Sequence, residues 1–151
     1  MAQSLSRLWT HLIFSTKHRF PFLSDKTMRT DMHAYLATML CAQDCETLIV
    51  NGVEDHAHSL FALSRTHSIA SVVKEIKRTS SGWIKEVSPR LAKFHWQGGY
   101  GAFSVSQSNL AEVIRYIENQ EEHHKRVTFQ DEYRAFLKAY DIAYDERYVW
   151  D

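Results

Sequence analysis

The hydrophobic and polar positions along the chain follow two periods, one of about two residues and one of about 3.6 residues. Alternating or short apolar runs predict four strands, over residues 8–16, 46–53, 56–63 and 102–106. Apolar residues at helical spacing predict four helices, over residues 25–42, 69–87, a segment that begins near 110, and 129–139. Strands and helices therefore alternate along most of the chain.

Polar residues at the ends of these segments support the predicted boundaries. Asp25 or Ser24 is suited to cap the first helix, because a short polar side chain there accepts a hydrogen bond from a free backbone amide. The polar pair at 54–55 predicts a tight hairpin between the second and third strands. Ser108 or Asn109 is predicted to cap the helix that begins near 110.

The order of the predicted elements indicates the fold. Strand, helix, strand, strand, helix and strand form a split βαβ unit whose two central strands are a hairpin. We therefore expect an α+β fold of the ferredoxin-like (RRM-like) class, an antiparallel sheet with helices on one face and C-terminal helices added. The chain has no internal repeat, low-complexity tract or Gly/Ser linker, so residues 1–151 are predicted to form one domain.

Composition narrows the class of protein. Hydrophobic residues make up 44% of the chain and aromatic residues 13%, which excludes a disordered or fibrous protein. No apolar run approaches the roughly 20 residues of a membrane span, and the start lacks the cleavage site of a signal peptide. The two cysteines, Cys41 and Cys45, are too few for a disulfide scaffold or a four-cysteine zinc site. We expect a cytoplasmic protein without a membrane partner.

The charge is balanced overall but uneven along the chain. Eighteen basic and eighteen acidic residues give a net charge of zero, which argues against indiscriminate binding to polyanions. Basic residues cluster in the first half, at Lys17 and Arg19 and again within residues 74–85, whereas acids dominate after residue 118. This asymmetry is compatible with one nucleic-acid-binding face and equally with an ordinary mixed surface.

His56-Ala57-His58 is the first candidate for chemistry. The pair lies on a predicted strand, where side chains two residues apart point to the same face, so both imidazoles can bind one ion. Taken alone, such a pair is more often structural than metal-binding. The apolar run that follows indicates that the strand enters the core, where burying two imidazoles requires bonding partners.

Tyr116 and Gln120 form the second candidate. They are four residues apart on a predicted helix and therefore project together. A tyrosine on an amphipathic helix is usually half-buried packing, and a lone glutamine is ordinary surface. His123 and His124 follow closely and could be alternative ligands, but the pattern favours solvated side chains or contacts to phosphate.

Read in order, these segments resemble a known family. The stretch VEDHAHSL at 53–60 is similar to the histidine-hydrophobic-histidine (HUH) motif, and YIENQEEHH at 116–124 resembles a nucleophile helix. WQGGYGAFSVS at 96–106 and FSTK at 14–17 complete the likeness. Over nearly its whole length the chain resembles the single-tyrosine HUH transposases of small bacterial and archaeal insertion sequences.

The resemblance implies a set of roles. Tyr116 would be the nucleophile, and His56, His58 and Gln120 would bind a divalent ion, Mg²⁺ or Mn²⁺, although imidazoles also suit zinc. Such enzymes cut single-stranded DNA beside short hairpins, form a 5′-phosphotyrosine and work as homodimers. A domesticated branch acts on repeated extragenic palindromes. The phosphotyrosine conserves the bond energy, so no nucleotide cofactor is expected, and the chain has no G-x-x-x-x-G-K-[ST] loop.

Two other interpretations compete with a transposase. A non-catalytic ferredoxin-like module would bind nucleic acid by stacking bases on aromatic side chains, but the expected Lys/Arg-Gly-aromatic pattern is absent. An inactive relative is disfavoured because every expected ligand and the nucleophile are present. If the substrate is DNA, the candidates for backbone contacts are Lys17, Arg19, Lys74, Lys77 and Arg78.

Overall fold

The computed structural model of the protein describes residues 1–151. The four strands are β1 (Trp9–Ser15), β2 (Glu46–Val53), β3 (His56–Ala62) and β4 (Gly101–Ser104). The five α-helices are α1 (Lys26–Ala42), α2 (Ile69–Val87), α3 (Leu110–Glu118), α4 (Gln120–His124) and α5 (Phe129–Ala139). Among these helices, none has the length and hydrophobicity that a bilayer span requires.

The strands form one antiparallel sheet in the order β2-β3-β1-β4. The predicted β2–β3 hairpin is confirmed, and so is the ferredoxin-like α+β fold. β1 and β3 are the central strands, and Ser15 at the end of β1 lies opposite His56 at the start of β3. The HUH segment therefore lies in the middle of the sheet.

Both faces of the central strands are covered. On the first face, Leu12 and Phe14 of β1 pack in a core with residues of α1 and α2. On the second face, Ile13 packs with residues of β4 and α5, among them Phe103 and Tyr133. Every residue of β1 and β3 is buried, so a polar side chain on the second face lies under a layer of helix instead of in solvent.

Several predicted boundaries are confirmed and others are wrong. Asp25 caps α1, because its carboxylate accepts hydrogen bonds from the amides of Thr27 and Met28. The helix predicted from residue 110 is divided in two at Asn119, and Gln120 begins the second part. Asn109 occupies the N-cap position of α3, but its side chain makes no capping hydrogen bond. The last strand is Gly101–Ser104, shorter than the predicted 102–106.

The aromatic C-terminal region packs on its own chain. Trp150 lies 5.9 Å from Tyr133 and 6.3 Å from Phe129 between ring centroids. The carbonyl oxygen of Asp151 accepts a hydrogen bond of 2.8 Å from the amide of Gly99. Residues after α5 therefore return to the loop that precedes β4.

Gly52 is predicted to be essential for the β2–β3 hairpin. A Cβ atom there would overlap the carbonyl oxygen of His56 and lie 2.9 Å from the Cα of Ala57. These are backbone atoms that cannot give way, so we expect Gly52→Ala to lower the free energy of unfolding by about 3 kcal/mol, measured in urea.

Gly82→Ala is the matched control. Gly82 lies within α2 and has nothing within 4 Å of the added Cβ, so this variant should gain about 0.5–1 kcal/mol. Equal stability of the two variants would contradict the close approach at Gly52.

Candidate metal and nucleophile site

β3 brings His56 and His58 to the second face of the sheet. Both side chains are completely buried. Their Nε2 atoms lie 3.4 Å and 2.9 Å from the same atom, Oε1 of Glu132. The i, i+2 spacing has thus placed the two imidazoles on one face, as the strand period requires.

The other ring nitrogen of each imidazole, Nδ1, has a hydrogen-bond partner of its own. Nδ1 of His56 lies 2.7 Å from Oδ1 of Asp55 and donates its proton to that carboxylate. Nδ1 of His58 lies 2.8 Å from Nε2 of His11. Histidines that bind metals typically use one ring nitrogen as the ligand and fix the other by such a hydrogen bond. These contacts orient both Nε2 atoms toward a common centre.

The end of α3 is held to the sheet by Asn51 of β2. The last carbonyl groups of a helix have no partner within the helix. The Asn51 amide nitrogen lies 2.9 Å from the carbonyl oxygen of Ile117 and 3.3 Å from that of Glu118. A side chain of the edge strand therefore fixes the position of the helix that carries Tyr116.

The Gln120 side chain also hydrogen-bonds a carbonyl group near the end of α3. Its Nε2 donates a hydrogen bond of 3.2 Å to the carbonyl oxygen of Tyr116. Because the amide nitrogen is used in this way, Oε1 faces the histidines and lies 3.4 Å from Nε2 of His56. The break at Asn119 thus turns a buried amide oxygen toward the imidazoles, and Gln120 is completely buried.

Glu132 of α5 is the central residue that sequence reasoning missed. Its side chain is only 2% exposed, and its Oε1 faces His58 and His56. Its Oε2 accepts a hydrogen bond from the Tyr116 hydroxyl and lies 3.2 Å from Nε2 of His124. One carboxylate therefore contacts the HUH pair, the predicted nucleophile and an additional histidine.

A signal for Glu132 was present in the sequence. Phe129, Tyr133 and Leu137 form the apolar face of α5 and pack on the sheet. Glu132 is three residues from Phe129 and so belongs to the same face. An acid on the buried face of a helix requires compensating partners. His124, in contrast, was considered an alternative ligand, and it does lie at the centre.

The network shifts the pKa values of its members in opposite directions. Burial disfavours a charged Glu132, but hydrogen bonds from His124, His56 and His58 outweigh burial and hold its pKa far below the usual range. Burial also opposes a charge on His56, yet its hydrogen bonds to Asp55 and Glu132 raise its pKa to about 9. Burial lowers the pKa of His58 to about 4. The carboxylate is therefore ionised.

Tyr116 lies at the edge of this network. Burial, followed by the charge of Glu132, raises the pKa of its phenol above the ordinary value. Its hydroxyl also lies 3.2 Å from Nε2 of His123. The outer side of the ring lines a surface cavity of about 680 Å³, whose wall includes Arg115 and Arg126. The nucleophile candidate is thus open to solvent on one side, whereas the histidine pair is enclosed.

The predicted basic residues lie in two other places. Lys74, Lys77 and Arg78 of α2 line a cavity of about 430 Å³ with Trp96 and Tyr100. The Lys77 ammonium donates to the carbonyl oxygens of residues 97 and 99, at 2.8 and 2.6 Å, and burial lowers its pKa to about 8. The Lys77 ammonium group is therefore already hydrogen-bonded within the protein.

Lys17 and Arg19 follow β1. Lys17 is exposed, whereas Arg19 is half-buried and its guanidinium carbon lies 5.8 Å from the centroid of the Trp150 ring. His18 and Arg19 both have positive φ angles, of 56°. The segment is therefore a tight turn beside the start of β3, and the amide of Lys17 donates a hydrogen bond of 2.8 Å to the carbonyl oxygen of His95, which lines the α2 cavity.

Comparison with known proteins gives one family. The sequence profile of the family described as "Transposase IS200 like" matches residues 4–120. The ISDra2 transposase TnpA of Deinococcus radiodurans is 25% identical over 115 residues, which are 73% of this chain and 81% of that protein.

Solved structures agree with this match. A crystal structure of a Deinococcus radiodurans protein described as a transposase superposes with a TM-score of 0.63 and 26% identity, covering 80% of this chain and 95% of that one. A REP-associated tyrosine transposase, solved bound to a REP hairpin, has the same fold with a TM-score of 0.59 and 14% identity. That likeness covers 84% of this chain and 76% of the other.

Asn51→Ala should loosen the helix that carries Tyr116. It leaves the carbonyl groups of Ile117 and Glu118 without their shared donor, so we expect a loss of about 1 kcal/mol in unfolding free energy. Faster amide hydrogen exchange confined to α3 should accompany it. Asn109→Ala, at the other end of α3, removes no capping hydrogen bond and should leave exchange unchanged. Equal exchange in both variants would contradict the anchoring role.

Proposed function

The chain belongs to the IS200-like transposase family, and on this premise we propose that it cuts and rejoins single-stranded DNA with Tyr116 as the nucleophile. One observation carries the proposal. The Glu132 carboxylate accepts a hydrogen bond from the Tyr116 hydroxyl and also contacts both histidines of the HUH pair. The candidate nucleophile and the candidate ion ligands therefore share one site. Nucleophilic attack on a phosphate requires both a nucleophile and a bound ion, and this arrangement places the residues for both together.

We propose that His56, His58 and Gln120 hold a divalent ion, with Mg²⁺ and Mn²⁺ as the candidates and zinc also compatible with the imidazoles. The residues fit such an ion. Nδ1 of each imidazole is hydrogen-bonded, so Nε2 is available, and Oε1 of Gln120 faces the histidines. When bound, the ion supplies positive charge that polarises the scissile phosphate and stabilises the leaving oxygen.

The proposed cleavage is an in-line displacement at phosphorus. The Tyr116 oxygen forms a bond to the phosphorus while the bond from phosphorus to the 3′ oxygen breaks. The phenol loses its proton and the 3′ oxygen gains one, which leaves a 5′-phosphotyrosine and a free 3′-hydroxyl. Joining is the reverse reaction with another 3′-hydroxyl, so no external energy source is consumed.

The phenol must lose its proton for this attack. Burial and the charge of Glu132 keep it protonated in the arrangement described here. The Glu132 carboxylate accepts the hydrogen bond of the hydroxyl and so defines where the proton points. The cavity beside the ring offers a route by which a DNA strand reaches the tyrosine, and Arg115 and Arg126 line it as further candidates for phosphate contacts.

We propose a single strand folded into a short hairpin as the substrate, cut outside the stem. A regular duplex would obstruct the in-line approach of Tyr116. The likeness to a protein solved with a REP hairpin supports this choice and also favours, as a second candidate, a domesticated role on repeated extragenic palindromes. We place the activity in the cytoplasm, a reducing compartment that would keep Cys41 and Cys45 as the free thiols that they are here.

The proposed DNA contacts are Lys17, Arg19, Lys74, Lys77 and Arg78. Lys74 and Arg78 are exposed beside the aromatic wall of the α2 cavity. Arg78 pairs with Glu75 at 2.6 Å, an exposed contact that contributes little and can yield to a phosphate. The bonds of Lys77 to the 97–99 loop favour a role in shaping this surface.

A homodimer with shared active sites is a further proposal, and it rests on the family. The C-terminal segment 133–150 is rich in aromatic side chains, which favours a contact with another subunit. Much of it packs internally, but Tyr140, Ile142, Tyr144 and Tyr148 are each at least 41% exposed. These four residues are the candidates for an apolar contact between subunits.

Tyr116→Phe should abolish covalent attachment without abolishing binding. The variant lacks the attacking oxygen, so labelled single-stranded hairpin DNA with Mg²⁺ or Mn²⁺ should yield no denaturation-resistant adduct, while gel-shift affinity stays within about twofold. Tyr35→Phe is the control, because that ring stacks on Trp83 of α2 at 4.6 Å between centroids and lies outside the site. An adduct formed by Tyr116→Phe would overturn the nucleophile assignment.

The same assay tests the dimer. A mixture of Tyr116→Phe and His56→Ala subunits, each inactive alone, should recover part of the adduct if one subunit supplies the tyrosine and the other the histidines. A strictly monomeric protein in sedimentation at the assay concentration would contradict the shared site.

The double variant Lys74→Ala, Arg78→Ala should weaken hairpin binding and reduce its salt dependence. Each lost phosphate contact lowers the slope of log K against log salt by about 0.7 for a single strand. Lys85→Ala on the same helix lies outside the cavity and is the control. An unchanged slope in the double variant would exclude this face as the DNA surface.

A further inference from the structure

Four donor atoms converge around the HUH pair, and two of them, from His124 and Glu132, lie beyond the matched segment that ends at residue 120. Nε2 of His56 and Nε2 of His124 are 2.9 Å apart, and Oε1 of Glu132 lies 2.9 Å from Nε2 of His58. Ligands held at roughly 2.0–2.2 Å from one ion are about 3–3.4 Å apart. The four atoms all lie within 4.8 Å of one another. The residues are thus spaced as neighbouring ligands of a single ion.

His124 is oriented as a ligand in the same way as the HUH pair. Its Nδ1 donates a hydrogen bond of 2.7 Å to the carbonyl oxygen of Val127, which leaves Nε2 facing Nε2 of His56 at 2.9 Å and Oε2 of Glu132 at 3.2 Å. Two imidazole nitrogens that face each other at this distance need a proton or a cation between them. The carbonyl of Val127 therefore performs for His124 the role that Asp55 performs for His56.

We propose that Glu132 and His124 complete the ion site of His56, His58 and Gln120, and that the resulting set, which contains three imidazoles, binds Mn²⁺ or Zn²⁺ in preference to Mg²⁺. This inference rests on the proposed function of the HUH pair. Imidazole suits first-row transition ions, whereas Mg²⁺ takes oxygen ligands and keeps several waters. Three imidazole nitrogens outnumber the oxygen donors of Glu132 and Gln120, and complete burial of His56, His58 and Gln120 restricts the access of the waters that Mg²⁺ keeps.

Glu132 also places the nucleophile relative to this ion. Its two oxygens face opposite ways, Oε1 toward the HUH pair and Oε2 toward Tyr116. A carboxylate that binds the ion through Oε1 keeps Oε2 free to hold the hydroxyl. Glu132 is therefore a positioning residue for Tyr116 as well as a ligand. It lies on α5, twelve residues beyond the end of the matched segment at Gln120.

The test measures ion binding to the DNA-free protein. Calorimetry should give one site per chain for Mn²⁺ and Zn²⁺, each bound at least tenfold more tightly than Mg²⁺. Glu132→Gln should weaken Mn²⁺ binding by about 100-fold, since loss even of an outer partner costs 10–100-fold. Asp131→Asn, exposed on the same helix, should leave affinity unchanged. Circular dichroism verifies that each variant is folded.

Two further readouts separate a ligand from a structural role. Saturating Co²⁺ should give a visible absorption spectrum that changes in Glu132→Gln and in His124→Gln, because the spectrum depends on the ligand set. His124→Gln also serves if Glu132→Gln does not fold.

Each outcome is decisive. Unchanged Mn²⁺ affinity and an unchanged Co²⁺ spectrum in both variants, with binding lost in His56→Ala, would overturn the added ligands and leave the proposed transposase intact. Tighter binding of Mg²⁺ than of Mn²⁺ would overturn the ion preference. Failure of the unmodified protein to form the DNA adduct would instead overturn the proposed function.

Discussion

The two oxygens of the Glu132 carboxylate hold the site together because each bonds a different group of side chains. Oε1 faces the imidazoles of His56 and His58, and Oε2 accepts a hydrogen bond from the Tyr116 hydroxyl. An ionised carboxylate beneath a helix is costly to bury unless such partners surround it. Truncating one member of such a network leaves a buried charge without its partner, which typically destabilises a protein by about 3–5 kcal/mol. The network therefore stabilises α5 against the sheet and aligns the reactive groups at once.

The break between α3 and α4 is the second constraint on the site. A continuous helix would satisfy its carbonyl groups internally. The break at Asn119 frees them, and they are satisfied by Asn51 from the sheet and by the side chain of Gln120. The amide of Gln120 is consequently oriented with its oxygen toward His56. A local interruption of secondary structure thus positions a polar atom that an uninterrupted helix would leave free to rotate.

The enclosure of the site connects the fold with its chemistry. Helices cover both faces of the central strands, so the HUH pair lies in a dry environment where electrostatic interactions are strong. Tyr116 and His123 reach the surface, at a cavity with arginines in its wall. In the proposed function, a phosphate that enters there would meet Tyr116 before the histidines behind it. The same enclosure limits the ion to the donors that the protein provides.

The sequence by itself determined the ferredoxin-like order of elements, the strand that carries His56 and His58, and the spacing of Tyr116 and Gln120. These follow from periodicities of two and 3.6 residues and from the motifs, which are local properties of the chain. Only the tertiary structure decided that α5 covers the second face and brings Glu132 to the histidines. That contact joins residues 74 positions apart, and no local pattern encodes such a pairing. It also decided that Lys77 bonds the 97–99 loop, since an amphipathic helix specifies its buried face but not the carbonyl groups that its lysines meet.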